Sequence, residues 1–302
     1  MAPERFAVAL AERGALEVSG EDRNAFLQGL VSNDVTKAGP DRAVYAALLT
    51  AQGRYLHDFF IVALGEALYL DAEAARLADL RRRLTLFKLR SKVTFADASE
   101  RFFVAAAFGP GVAASLGLPE ETGAARPWSG GAAYVDPRLA ALGVRFLLPR
   151  GADLGALGFA GADAAAYDRM RLALGVPDGS RDLPPEKALL LEAGFDELNG
   201  VDWQKGCYMG QELTARMKYR ALIKKRLLPV AVEGDMPAPG TEVRLGAEEA
   251  GEMRSGRDGH GLALLRLDAV ASGGTLTAGA ARLKPEKPEW VRLLPEAEDD
   301  GR

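Results

Sequence analysis

Residues 205–212 read Lys205-Gly206-Cys207-Tyr208-Met209-Gly210-Gln211-Glu212, and Glu192-Ala193-Gly194 stands a short spacer upstream. Gly206 and Gly210 permit backbone turns that residues with a Cβ resist. From Gln211 the chain continues through good helix formers with Glu212 as an early acidic residue. A helix is therefore predicted to start near Gly210. Cys207 then lies just before a helix N-terminus with Lys205 nearby, and both features favour a thiolate. The alternative is a buried Cys207 that packs as a small hydrophobe.

Composition bounds what this stretch can do. The chain has 302 residues, which at about 150 per domain suggests two domains or three small ones. Hydrophobic residues make up 48% and charged residues 26%, which excludes a disordered chain. Cys207 is the single cysteine, so an internal disulfide and any zinc or iron–sulfur site built from several thiolates are excluded. His57 and His260 are the only histidines, so no metal site of the chain's own is expected. The net charge of −4 argues against wholesale coating of nucleic acid. Charged residues interrupt the first 20 positions, no targeting segment is evident, and no apolar run reaches the ~18 residues a membrane helix needs. A cytoplasmic address is expected, where a lone thiol stays reduced.

Away from the signature, Ala15 to Val18 reads as a strand and Phe26, Leu27 and Leu30 as one face of a short helix. Val44 to Leu49, Tyr55 to Leu64 and Ala67 to Leu70 predict a meander of antiparallel strands split by Gln52-Gly53-Arg54 and Gly65-Glu66. Asp71 reads as an N-cap ahead of an amphipathic helix carrying Leu77, Leu80 and Leu84. Strands are predicted at Val93 to Phe95, Phe102 to Phe108 and Val144 to Leu148, with loop from Gly109 to Gly131. A helix from about Ala162 to Leu174 ends at Gly175 and Pro177. After Lys224, short apolar runs alternate with Gly-rich turns, which predicts a small antiparallel barrel.

The string Lys-Gly-Cys-Tyr-Met-Gly-Gln-Glu resembles the signature of the YgfZ family, folate-binding proteins related to the glycine-cleavage T-protein (aminomethyltransferase). The likeness extends to Asn24-Ala25-Phe26-Leu27-Gln28-Gly29, Asn33-Asp34-Val35, Gln52-Gly53-Arg54 through Asp58, and Gly251 through Arg266. The resemblance implies an α+β, T-protein-like three-domain plate with a C-terminal antiparallel β-barrel around a central folate-binding opening. The expected boundaries are 1–223 for two interleaved folate-binding subdomains, 224–295 for the barrel and 296–302 for a disordered tail.

The same resemblance implies tetrahydrofolate, or a 5-substituted derivative, as cofactor. Glu192 matches the T-protein glutamate that accepts hydrogen bonds from the donor-rich pterin edge. Asp58, set in the apolar strand His57-Asp58-Phe59-Phe60, matches the aspartate beside the reacting folate edge; by strand alternation it points either into the protein or to solvent. His57 then faces the opposite way and reads as structural. Gly206, Tyr208, Glu212 and Arg220 complete the expected folate contacts. Lys218 and Arg226 are further cations for the glutamate tail, and Trp203 and Tyr219 are further aromatics for stacking.

Three function classes remain open at this level. In the first, the chain is a tetrahydrofolate-binding factor for assembly or repair of iron–sulfur clusters, with Cys207 as one ligand or nucleophile and Lys205 holding its charge. Its partners are then assembly proteins or client enzymes, including radical enzymes that thiomethylate tRNA, and the chain is expected to be a monomer. In the second, it is a folate-dependent aminomethyltransferase or demethylase with Asp58 as the polarising carboxylate. In the third, Arg81, Arg82, Arg83, Lys88, Arg90 and Lys92 bind RNA; no RNA-binding motif accompanies them, and direct tRNA binding is not expected.

Overall fold

The apolar runs around position 50 form one side of a five-stranded sheet. Its order is Val44–Leu49, Tyr55–Leu64, Ala67–Glu73, Arg13–Ser19, Thr94–Asp97. The computed structural model describes residues 4–220 and 223–292, so the tail expected at 296–302 lies outside the described residues. Two compact units divide the chain. The first takes residues up to 49, 56–168 and 198–209; the second takes 50–55, 169–197 and 210 onward.

In the first unit the five-stranded sheet buries Leu16, Val18, Phe59, Ile61 and Leu70 against Phe26 and Leu27 of helix Arg23–Gln28. Leu77, Leu80 and Leu84 of helix Leu77–Phe87 join the same core, as their spacing predicts. A six-stranded sheet follows the order Ala160–Gly161, Phe6–Ala9, Phe102–Phe108, Val144–Pro149, Gly131–Val135, Ala125–Trp128. The stretch expected as loop from Gly109 to Gly131 therefore contains an edge strand, and it also holds a short helix, Val112–Ser115. Pro127 sits within that edge strand, which hides it from a reading that takes Gly and Pro as loop.

Asp71 is no helix cap. It lies inside strand Ala67–Glu73 and is fully buried. Arg13 Nε donates to it at 2.7 Å, Arg145 at 2.7 Å and the Tyr134 hydroxyl at 2.9 Å. Burial alone raises its carboxyl, but Arg13 and Arg145 overcome that and hold it below the usual carboxylate range. Arg138 pairs with buried Asp136 at 2.8 Å. The guanidiniums of Arg13, Arg138 and Arg145 all approach the Phe60 ring, at 5.5, 4.9 and 4.2 Å from its centre. A buried layer of paired charge thus runs through this unit.

In the second unit the predicted barrel is present and closed. Its order is Lys225–Glu233, His260–Arg266, Glu248–Arg257, Glu242–Leu245, Leu276–Ala278, Ala281–Pro285. Closure removes every free sheet edge. The segment after position 169 docks on it through Asp182, which accepts from the Ser255 amide at 3.0 Å and pairs with Arg171. Trp290 Nε1 donates to the Leu174 carbonyl at 2.7 Å. No helix among the described residues is long and apolar enough to cross a membrane.

Candidate functional site

The signature loop is assembled on the end of helix Arg23–Gln28. Lys205 Nζ donates to the carbonyls of Gln28 at 2.8 Å, Val31 at 2.5 Å and Asn33 at 2.8 Å. An ammonium has three N–H bonds, and all three are taken. Around it, Met209 N donates to Gly29 O at 3.2 Å and Asp202 N to Ser32 O at 3.0 Å. Asn33 Nδ2 reaches the carbonyls of Tyr45 and Asn199, each at 2.7 Å. Two of the stretches that carry the sequence resemblance, 24–35 and 205–210, therefore meet in space.

The sequence reading expects Lys205 to hold a thiolate; its three donors are committed to backbone carbonyls, which leaves none to hydrogen-bond the sulfur. Burial pushes its ammonium down to about 8, with Asp34 and Asp202 pulling the other way. Cys207 is exposed, which excludes the small-hydrophobe alternative. Gly206 beside it takes φ +89° with open space around the missing Cβ. Tyr208 is buried, and the Lys205 ammonium stands 5.2 Å from its ring centre. That ring face is already covered, so a stacking role toward a pterin is not available there.

Asp58 is 5% exposed and accepts from the Tyr45 hydroxyl at 2.9 Å. It shares a strand face with Phe60 by alternation, on the side of the buried arginine layer. It points inward, not to solvent. His57 faces the other way, with Nε2 3.0 Å from Asp79 on helix Leu77–Phe87. Burial, then the nearby Arg76 charge, lower the imidazole to about 4, so it is neutral near pH 7. Asp79 also accepts from Arg82 and Arg83, and Lys92 pairs with Glu21. Half of the basic face considered for RNA is thus already neutralised.

A cavity of about 400 Å³ opens beside this assembly, lined in part by Asn33, Lys37, Tyr45, Asn199, Asp202 and Trp203. Neither Cys207 nor Glu192 lines it. Lys37 and Asp202 pair across it at 2.5 Å.

In the second unit, helix Gln211–Tyr219 starts where the glycine predicts it. Gly210 takes φ +79°, and a Cβ there would stand 2.3 Å from the Thr50 carbonyl oxygen. Gly53 returns the contact: its Cβ would meet Gly210 O at 2.7 Å. The Gln52-Gly53-Arg54 turn and the helix start are locked by two glycines. Glu212 is exposed in the first turn and Arg220 is exposed at the far end. Lys218 pairs with Asp196 at 2.7 Å. Arg226 is buried against Glu197 at 2.7 Å and lies near Trp290, so it serves the core and not a ligand tail.

Glu192 is half-buried, and no side-chain hydrogen bond links it to the other described residues. Burial raises its carboxyl; Lys225, Arg54 and Arg254 draw it partly back. Arg13 and Arg145 escape sequence reading, because their shared partner Asp71 lies 58 and 74 residues away and no motif joins them.

Comparison with known proteins gives the chain its relatives. Residues 8–118 match the GCVT N-terminal domain and residues 224–293 the CAF17 C-terminal β-barrel domain. The chain is 36% identical over 284 residues to the mitochondrial iron–sulfur cluster assembly factor IBA57 of Mus musculus, covering 85% of this chain and 76% of that protein. It is 34% identical over 308 residues to the Homo sapiens IBA57, covering 92% and 83%. Aminomethyltransferase T of the glycine cleavage system from Bartonella henselae superposes with a TM-score of 0.76 at 16% identity, covering 95% of this chain and 86% of that one. That likeness establishes the T-protein-like fold expected from the sequence. The relatives are mitochondrial by name, which overturns the expected cytoplasmic address. By its identity to these relatives across most of their length, the chain belongs to the IBA57 family, relatives of YgfZ.

Proposed function

We propose that the chain is an iron–sulfur cluster assembly factor that binds a reduced folate and offers Cys207 as a single thiol to a partner-held cluster. The carrying observation is Cys207 itself: the only cysteine, exposed, on a loop fixed by three hydrogen bonds from the neighbouring Lys205. The names of the IBA57 relatives support the assembly role. A cluster normally needs about four protein ligands, so one thiol serves handover and not storage. The cluster is cargo, and the remaining ligands come from assembly proteins or client enzymes, tRNA-thiomethylating radical enzymes among them.

The folate part rests on Glu192. A half-buried carboxylate with a raised pKa and no hydrogen-bond donor among the described residues suits the N–H-rich edge of a pterin. When bound, the folate would supply one-carbon or redox chemistry; the protein's part is to orient that edge. Arg220, exposed and without an ion pair among the described residues, offers a cation for the glutamate tail. The transferase alternative needs Asp58 to touch substrate, and its burial against Tyr45 speaks against that. Isothermal calorimetry with 5-formyltetrahydrofolate tests the folate claim. Glu192→Gln, which exchanges an acceptor pair for one acceptor and one donor, is expected to weaken binding about tenfold or more. Equal affinity in the variant, or no binding to wild type, removes folate from the account.

A further inference from the structure

The end of helix Leu77–Phe87 and the turn after it carry side chains that the fold does not use. Leu86 is 66% exposed, Phe87 41% and Leu89 89%. Large apolar residues so exposed and so close in sequence form a patch, unlike the single exposed leucines of ordinary surfaces. Leu89 also takes φ +42°, the left-handed region that a leucine enters only against steric resistance. A strained backbone holding a leucine in water does nothing for the core.

Basic residues flank these positions in the chain. Arg81, Lys88 and Arg90 have no ion pair among the described residues, whereas the carboxylates nearby are engaged. Asp79 takes Arg82 and Arg83, and Glu21 takes Lys92. On a chain of net charge −4 this is a locally positive, apolar surface. We infer that Leu86, Phe87 and Leu89, flanked in the chain by Arg81, Lys88 and Arg90, form a docking surface for an acidic, amphipathic helix of a partner protein. Helix-in-surface recognition places apolar anchors at the centre and complementary charge at the rim. Nucleic acid fits less well, because aliphatic Leu86 and Leu89 have nothing to gain from phosphates. An anionic bilayer fits less well too, because three free cations fall below the cluster of about four to eight that marks lipid-binding segments. The inference does not depend on the folate or thiol roles.

The test uses the full chain and a fluorescent synthetic helix with leucines along one face and glutamates along the other. A scrambled peptide of equal composition, phosphatidylserine vesicles and a folded tRNA serve as rivals. The amphipathic peptide is expected to bind about tenfold tighter than the scrambled one. Leu86→Ser/Leu89→Ser and Arg81→Glu/Arg90→Glu should each weaken it about tenfold, the size of a hot-spot truncation. Should the double variants misfold by circular dichroism, Leu89→Ser alone, at the most exposed of the three side chains, carries the comparison. Equal binding of the two peptides, no effect of the substitutions, or vesicles or tRNA bound at least as tightly through these side chains overturns the inference.

Discussion

Lys205 has three N–H bonds to give, and the carbonyls of Gln28, Val31 and Asn33 take them all. Its place beside Cys207 in the sequence suggests electrostatic work on the thiol; its place in the fold is a staple beneath the loop. Lys205→Met should leave three carbonyls short of a donor and lower stability in urea unfolding by about 3 kcal/mol. Lys205→Arg should fail to restore it, since a planar fork does not match three converging acceptors. A loss below about 0.5 kcal/mol would show the staple to be ornamental. His57 gives a second residue-level expectation. Its pKa is lowered from 6.5 to about 4 in the fold, so the unfolded chain binds the extra proton first. Stability is therefore held above pH ~6.5 and falls as pH drops toward ~4, by about 3 kcal/mol. His57→Gln should flatten that window in denaturation curves at stepped pH. The carboxylates with lowered pKa, Asp71 and Asp79 among them, lose their share only below about 4, so the two effects separate.

Among the elements, the glycines of the signature differ in what they are for. Gly206 and Gly210 both have positive φ, but only Gly210 has backbone within 2.3 Å of where a Cβ would stand. Gly206→Ala should cost about 1 kcal/mol, the backbone preference alone. Gly210→Ala should cost at least about 3 kcal/mol and shift the start of helix Gln211–Tyr219, read by thermal unfolding and amide exchange in that helix. Equal losses would mean that the close approach to Thr50 and Gly53 is slack. Elements were legible where a local pattern was complete. The helix at Gln211, the strand Phe102–Phe108 and the barrel each carry their own periodicity or punctuation. Asp71 was not legible, because a polar residue after an apolar run reads as a cap until Arg13 and Arg145 are folded onto it. The strand Ala125–Trp128 was hidden for a like reason: a four-residue edge strand with a proline has no period to detect.

For the whole molecule, the family and the T-protein-like fold were within reach of one eight-residue string, whereas the division of labour around it was not. Asp58 and Lys205 resemble catalytic residues in sequence and act as interior partners in the fold, one for Tyr45 and one for backbone carbonyls. What the fold leaves uncommitted is the exposed thiol of Cys207 and the half-buried carboxylate of Glu192, which has no side-chain hydrogen bond among the described residues. A factor that works by presenting one ligand needs that thiol in solvent and on a fixed loop, and both conditions are met. The most direct measurement is rescue of iron–sulfur enzyme activity in cells lacking their own IBA57-type factor, comparing wild type with Cys207→Ala at matched protein levels. The account predicts a variant that folds and binds folate normally yet restores little or no activity. Full rescue by Cys207→Ala would contradict it.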